Sequence, residues 1–518
     1  MRVRNRSTGT LLLLAALLAG CASLPDDVER PVSVALPAGD DAPLGALAAE
    51  ASHAHPGQSG FALLVEGQSA FTVRRDLTLL AARSIDVQYY IWEGDTTGRL
   101  LAAALVAAAE RGVRVRILID DIHTKGKDFR IAALDAHPNV EIRTFNPFDR
   151  RDARNLNIVT DFARLNHRMH NKAFVVDGAL AILGGRNIGD DYFGLNPAVN
   201  FRDIDVLAAG PVVAEVSASF DQYWNSEWAF PITALADELP SPLEAATIRT
   251  ELVAWAAGLQ DFPYRLSATP GEALVALRAA LGPLAWGSAL VLYDLPAKTA
   301  GHGGEAVAEG LRPEIAALHK ELLIEVAYFI ATEEGVAMLG DLVDRGVRVR
   351  ILTNSLATND LVPGHAGYSR YREDLLRRGV ELYEFRPGAE APRAGWSPLA
   401  ATSRASLHSK AFVLDGDRVF IGSFNLNPRS VALNTEIGVI IESAELAQRV
   451  REFMDSGVSP DNAWQLHLGT STGRSEELVW TTVDASGQPV VHLTDPETSR
   501  GRRFTAWLIA KLPIEKEL

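Results

Sequence analysis

The chain contains itself twice. Residues 111–118 read Arg-Gly-Val-Arg-Val-Arg-Ile-Leu, and residues 345–352 repeat the same letters. Each copy follows an Ala- and Leu-rich helical stretch, Leu100–Glu110 and Val336–Asp344, which Gly breaks before a strand of alternating Val/Ile and Arg. Another strand is expected ahead of each helix, over Ile85–Trp92 and Leu322–Ile330. A strand–helix–strand unit joins parallel strands, so each half reads as an α/β layer. Further on, Met169-His170-Asn171-Lys172-Ala173-Phe174-Val175-Val176-Asp177-Gly178 answers Leu407-His408-Ser409-Lys410-Ala411-Phe412-Val413-Leu414-Asp415-Gly416. The shared octet starts 59 residues before His170 and 63 before His408. Two collinear repeats at near-equal spacing imply two similar domains, most economically related by an approximate twofold axis. The period is far too long for a solenoid.

A length of 518 residues accommodates two sizeable cores. The expected organisation is a leader over 1–20, a flexible tether over 21–57 and a first domain over 58–245. A helical connection over 246–283, a second domain over 284–460 and a C-terminal extension over 461–518 follow. The tether is expected from a Pro-, Gly-, Ala- and Asp-rich composition that includes Leu36-Pro37-Ala38-Gly39-Asp40-Asp41. In the extension, Arg500 to Leu512 mixes basic with bulky apolar residues. It reads either as an interfacial helix meeting anionic lipid headgroups or as a helix packed on the second domain.

His and Lys one residue apart on a strand share a face. The Asp-Gly pairs mark a tight turn into a second strand, ending in Gly184-Gly185-Arg186-Asn187 and Gly422-Ser423-Phe424-Asn425. Gly lets a ligand approach the backbone and Asn supplies amide donors. Brought together across a twofold, the halves give His170, His408, Lys172, Lys410, Asn187 and Asn425 around one point. That set suits a phosphodiester. The lysines and asparagines, with Ser423, can hold non-bridging oxygens as charge grows on them. One His attacks phosphorus while the other protonates the leaving oxygen, which requires the pair to have split pKa values. No metal or other cofactor is needed, because Lys supplies the charge and is not a usual zinc ligand.

His170-x-Lys172-x4-Asp177-x6-Gly184-Gly185 and His408-x-Lys410-x4-Asp415-x6-Gly422-Ser423 resemble the paired signature motifs of the phospholipase D superfamily, from about Ser84 to Glu442. The resemblance implies a phosphohistidine intermediate without metal, with His170 as nucleophile and His408 as general acid. Asp177 and Asp415 belong to the signature, and their place at a turn favours structural support over proton transfer. The superfamily also uses a downstream acid to orient each motif's His. Glu436 fits in the second half; aligning Arg202-Asp203-Ile204 with Thr435-Glu436-Ile437 selects Asp203 in the first, with Asp205 the fallback. Asp120, Asp121 and His123 follow the first Arg-Gly-Val-Arg strand and could approach the pocket, but they read as a loop, since the second copy has Thr353-Asn354-Ser355 there. His167, three residues before His170, reads as a loop residue rather than a substrate contact, since Ala405 matches it in the second copy.

More narrowly, Asp86-Val87-Gln88-Tyr89-Tyr90-Ile91-Trp92, Phe145-Asn146-Pro147-Phe148, Arg164-Leu165-Asn166 and Leu512-Pro513-Ile514-Glu515-Lys516 look like the C-type bacterial cardiolipin synthases. That resemblance implies transfer of a phosphatidyl group to phosphatidylglycerol, with phosphatidylethanolamine a possible second lipid. A hydrolytic phospholipase D, an exported nuclease and a non-catalytic lipid-binding lipoprotein are the alternatives. A nucleotide-activated donor would not be met outside the cell.

The beginning of the sequence sets the expected compartment. Basic residues up to Arg6 precede an apolar run, Leu11 to Leu18, too short to span a bilayer, and then Leu18-Ala19-Gly20-Cys21. Small residues before a lone Cys resemble a bacterial lipobox, in which Cys21 carries the lipid; Ala22 suggests outer-membrane sorting at the periplasmic side. Beyond Arg2, Arg4 and Arg6, 47 basic residues face 65 acidic ones, a balance of −18. Such a charge disfavours nucleic acid as a partner, since that affinity rests on neutralising phosphates. Phospholipids are the expected substrates, and no obligate protein partner is evident.

Overall fold

A computed structural model describes residues 24–25, 27–39, 41–149, 154, 161–469, 477–484 and 486–518. The leader and Cys21 lie outside the described residues.

The octet opens one of three parallel strands in each half. In the first half the strands are β1 (Ser59–Leu64), β2 (Ser84–Tyr89), β3 (Arg114–Asp120), β4 (Val140–Phe145), β5 (Ala173–Val176), β6 (Leu180–Gly184), β7 (Val199–Arg202), β8 (Asp205–Ala209) and β9 (Ala229–Pro231). In the second half they are β10 (Ala285–Tyr293), β11 (Glu321–Val326), β12 (Arg348–Asn354), β13 (Glu381–Phe385), β14 (Arg404–Leu407), β15 (Lys410–Leu414), β16 (Arg418–Gly422), β17 (Ile437–Glu442), β18 (Ala463–Gly469), β19 (Glu477–Val483) and β20 (Pro489–His492). The crossover helices, Thr96–Glu110 and Thr332–Asp344, each end two residues before a left-handed glycine, Gly112 at φ 94° and Gly346 at φ 87°.

Hydrogen bonding orders the first sheet β9–β4–β3–β2–β5–β6–β8–β1. The second runs β10–β17–β16–β15–β11–β12–β13–β18–β19–β20. The strands from β2 to β4 and from β11 to β13 are parallel, and the motif strands β5 and β15 are antiparallel to them. Strand β1 pairs with β8 along one side and β10 along the other, so the sheets are continuous across the halves. Strands β7 and β14 form a separate parallel pair between the halves.

The octet's buried arginine has the same use in both copies. Arg116 reaches Asp86 at 2.7 Å and Asp221 on helix Val212–Trp224 at 2.9 Å. Arg350 reaches Asp455 on helix Ala444–Gly457 at 2.6 Å. These ion pairs tie a helix to the sheet from the face opposite the crossover.

Two expected segments behave differently from their composition. The tether is not free over its described length: Ala35 N–H donates to Asp221 at 2.8 Å, and Arg116 and Arg143 donate to the carbonyls of Ser33 and Pro31 at 2.9 and 2.6 Å. Helix Pro43–Ser52 buries Leu44 and Leu47. Buried arginines needing carbonyl acceptors hold this stretch, and composition does not reveal them. The region over 461–518 is likewise no appendage, because β18 joins the second sheet beside β13, as β9 does beside β4, and β19 and β20 extend it. The connecting helices, Pro242–Gly258 and Pro270–Leu281, begin slightly before the expected boundary.

Candidate active site

Backbone pairing across the halves builds the site. His170 N–H donates to the Thr435 carbonyl and Thr435 N–H to the Arg168 carbonyl, each at 2.9 Å. In the other copy His408 N–H donates to the Arg202 carbonyl at 2.8 Å, continuing the β7–β14 pair. Each motif histidine therefore lies beside the segment carrying the other half's acid. His170 Nδ1 is 2.8 Å from Glu436, and His408 Nδ1 is 2.7 Å from Asp203. This corrects the within-half pairing expected from the alignment: the acids are the expected ones, but they are exchanged. Asp205, the fallback, pairs instead with Arg74 at 2.9 Å and Arg186 at 3.4 Å.

The carboxylates are held unequally. Glu436 accepts from Ser430 at 2.7 Å and also from the Ser423 hydroxyl. Ser423, expected to touch a phosphate, is fully buried and supports Glu436 instead. Its counterpart is Gly185, where a Cβ would stand 2.1 Å from an Asp203 oxygen, so this position must be Gly for the acid to fit. The Asp203 carboxylate, besides meeting His408, accepts from the N–H of Ile204 at 2.8 Å.

Both imidazoles and both ammonium groups are at least nine-tenths buried. Lys172 Nζ donates to the His170 carbonyl at 2.6 Å, and Lys410 Nζ to that of His408. Tyr90 meets the His170 ring edge-on at 5.0 Å and Tyr192 meets His408 in the same way at 5.1 Å. Burial pulls His170 down to about 4, with Glu436 opposing and Lys172 assisting. Burial also takes His408 well below its ordinary value, helped by Lys410, Lys172 and His170. Burial lowers Lys172 to about 7 and Lys410 to about 8. The mutual influence of these four groups across the halves marks one shared centre. Both imidazoles are lowered, so the expected split is not set within the pair itself. The acids do diverge. Burial raises the Asp203 carboxyl, whereas at Glu436 the charges of His170 and Lys172 outweigh burial and lower it.

Asp177 and Asp415, placed with the catalytic set by their motif, are engaged elsewhere. Asp177 accepts from the N–H groups of Ala82, Arg83 and Ser84, and Asp415 from those of His319, Lys320 and Glu321. Both adopt left-handed backbone, φ 54° and 52°, in the turn after the motif strand. Asn187 also departs from expectation: its oxygen accepts from Ile91 N–H and its amide donates to Tyr192 at 2.9 Å. Asn425 accepts from Tyr328 N–H at 3.4 Å. These amides fix the strand exits beside the site.

Asp120 does more than a loop residue. It accepts from Met169 N–H at 2.9 Å, while Asn354, its counterpart, grips both the N–H and the carbonyl of Leu407. Each holds the backbone just before a motif histidine. His123 lies with Glu93 at an exposed position, and the His167 carbonyl accepts from Asn146. Tyr192 and Ser430 lie outside the motifs, and no spacing in the chain singles them out.

Two α/β halves, each giving a His, a Lys and a carboxylate to one buried centre, define a duplicated phospholipase D-like protein. The chain belongs to the family described as "Cardiolipin synthase, PLD-like domain", whose model matches residues 78–224 and again 311–457. It is 42% identical to cardiolipin synthase C of Escherichia coli, over 89% of this chain and 96% of that protein. Cardiolipin synthase A of Pseudomonas entomophila is 28% identical over 76% of this chain and 67% of its own length. Among solved structures, phosphatidylserine synthase of Haemophilus influenzae shares the fold, with a TM-score of 0.57 at 14% identity over 91% of this chain and all of that one.

Proposed function

We propose that the protein is a phosphatidyltransferase that forms cardiolipin from phosphatidylglycerol and a second phospholipid. The observation that carries this reading is the crossed pair of His–carboxylate contacts with both lysines in one buried centre, on a chain similar to a cardiolipin synthase over most of its length. In the first step, His170 Nε2 attacks phosphorus while Glu436 accepts the Nδ1 proton's hydrogen bond. The N–P bond forms, the P–O bond to the leaving alcohol breaks, and that oxygen takes a proton from His408. Lys172 and Lys410 hold the non-bridging oxygens. In the second step the acceptor hydroxyl gives its proton to His408, a new P–O bond forms and the N–P bond breaks. The arriving phosphate's negative charge favours a protonated imidazole, and that proton must sit on His408, because attack through Nε2 requires His170 to be neutral. Asp177, Asp415, Asn187 and Asn425 act on the backbone that positions this set.

Transfer rather than hydrolysis requires a bound acceptor and exclusion of water from the phosphohistidine. The burial of both histidines supports that requirement. Lipidation of Cys21 would place the enzyme at the periplasmic face of the envelope, where lipid acceptors are concentrated, with sorting to the outer membrane; the leader pattern supports this. The test is purified protein in vesicles of phosphatidylglycerol with and without phosphatidylethanolamine, products resolved by mass spectrometry. Cardiolipin is expected. Phosphatidic acid as the dominant product in every mixture would leave a hydrolytic phospholipase D.

A further inference from the structure

The C-terminal helix, Arg500–Ile509, is turned inside out relative to an ordinary surface helix. Only Ala506 is buried. Arg502 and Arg503, half-buried, face the protein and donate to the carbonyls of Leu356 and Thr498 at 2.8 Å each. The apolar residues face outward instead. Phe504, Trp507 and Leu508 are 61%, 57% and 49% exposed, and their i, i+3, i+4 spacing makes them one stripe; Leu512, 45% exposed, lies in the turn just past the helix. Phe504 and Trp507 stack at 5.8 Å, which holds two large rings in the open. Arg500, Lys511 and Lys516 are exposed on the same segment, while Glu515 is engaged by Arg370 at 3.1 Å and Tyr371 at 2.8 Å and Glu517 by Asn166.

The helix is fixed beside the reaction centre. Arg502 also binds the Asn359 carbonyl, and neighbouring Asp360 accepts from Tyr328, whose N–H meets Asn425. Asn359, Asp360, Ser499 and Arg502 share with Arg404 and Ser406 a cavity of about 400 Å³, which ends on β14 two residues before His408. Further along, the chain end binds Arg429, whose charge acts on Tyr90 over the His170 ring. The last nineteen residues, 500–518, thus run from the cavity beside β14 to Arg429, and Glu517 there reaches Asn166 of the first half.

We propose that this stripe docks the enzyme on a bilayer containing anionic phospholipid, with the mouth of the site facing the membrane. A rigid aromatic and leucine stripe flanked by cations complements such a surface both in polarity and in charge. Docking there would let a lipid's headgroup enter the centre while its acyl chains stay out of water. The proposal rests on the phosphatidyltransferase reading only for the identity of the lipid.

The experiment uses the full chain carrying Cys21→Ser, so that no acyl anchor masks the helix. Co-sedimentation is measured with phosphatidylglycerol/phosphatidylethanolamine vesicles and with phosphatidylcholine vesicles. Turnover is measured on the former and on monomeric dihexanoyl phosphatidylglycerol. Phe504→Ser/Trp507→Ser/Leu508→Ser and the single Trp507→Lys are compared with Trp507→Phe, all with thermal midpoints checked. Both polar variants are expected to bind anionic vesicles about tenfold or more weakly and to lose vesicle turnover in proportion, with soluble turnover kept and Trp507→Phe unaffected. Unchanged vesicle binding, equal loss on both substrates, or self-association through the stripe in place of vesicle binding would overturn the proposal. If the parent turns over neither lipid yet the variants still lose vesicle binding, docking stands and the catalytic reading fails.

Discussion

The carboxylate behind each histidine comes from the opposite half, and the exchange has a measurable signature. Glu436→Gln keeps the shape of the side chain but removes the charge that favours one imidazole tautomer. A loss of activity of about 10³–10⁴ is expected by analogy with other His–carboxylate pairs. The site of the effect is more informative than its size. Ring-¹⁵N spectra should change at His170 in Glu436→Gln and at His408 in Asp203→Asn; the reverse assignment would restore within-half pairing. The lysines make a second prediction. Their lowered values, about 7 for Lys172 and about 8 for Lys410, mean that positive charge is present below that window and lost as pH rises through it. Sulfate does not itself titrate over this range. Its inhibition constant should therefore weaken about tenfold or more between pH 6 and 9, reflecting loss of short-range charge in a buried site. A sulfate affinity independent of pH would show that neither ammonium faces the anion.

At the level of strands and turns, the two Asp-Gly pairs were legible from sequence and so was their structural use. Each aspartate closes the turn after a motif strand and gathers successive N–H groups from the chain entering the neighbouring strand, β2 or β11. Asp177→Asn and Asp415→Asn should lower the thermal midpoint, each weakening charge-assisted hydrogen bonds worth about 1.5–3 kcal/mol, while kcat in the folded fraction stays within about threefold. A kcat loss of several orders at an unchanged midpoint would instead give these aspartates a part in the chemistry. The two parallel layers, the His-x-Lys faces and the identities of Asp203 and Glu436 could be read because each is carried by local pattern or by the repeat. The partner of each acid could not. It depends on β7 meeting β14 and on Thr435 meeting Met169, contacts between segments some 200 residues apart or more that no periodicity encodes. The packed stretch before β1 was hidden for a related reason: its acceptors are backbone carbonyls, and these carry no residue signature.

Across the whole molecule the halves share a core as well as a centre. One hydrophobic cluster joins Phe61, Val175, Ile204, Val206 and Val213 of the first half to Val291, Leu323, Val413, Val439 and Met454 of the second. Strand β1 stitches the sheets together: Phe61, fully buried, is in register with Ala208 on β8 and with Ala285 on β10. Arg202 crosses between halves to Glu325 at 2.9 Å and lies over the Phe453 ring at 3.6 Å. Chains of this length often unfold domain by domain, because most inter-domain contacts are small and polar. Here separation would expose a buried apolar cluster and strand edges, and would strip each histidine of its carboxylate. The halves should therefore unfold in one transition, seen together by calorimetry, tryptophan fluorescence and loss of activity. Phe61→Ala should lower stability by about 3–5 kcal/mol, the range for a large buried aromatic, and shift that transition down without dividing it. The substitution touches no reacting group, so activity of the folded enzyme should change far less than its stability. Two resolved transitions in the parent would mean that the halves unfold independently and that the shared cluster does not couple them.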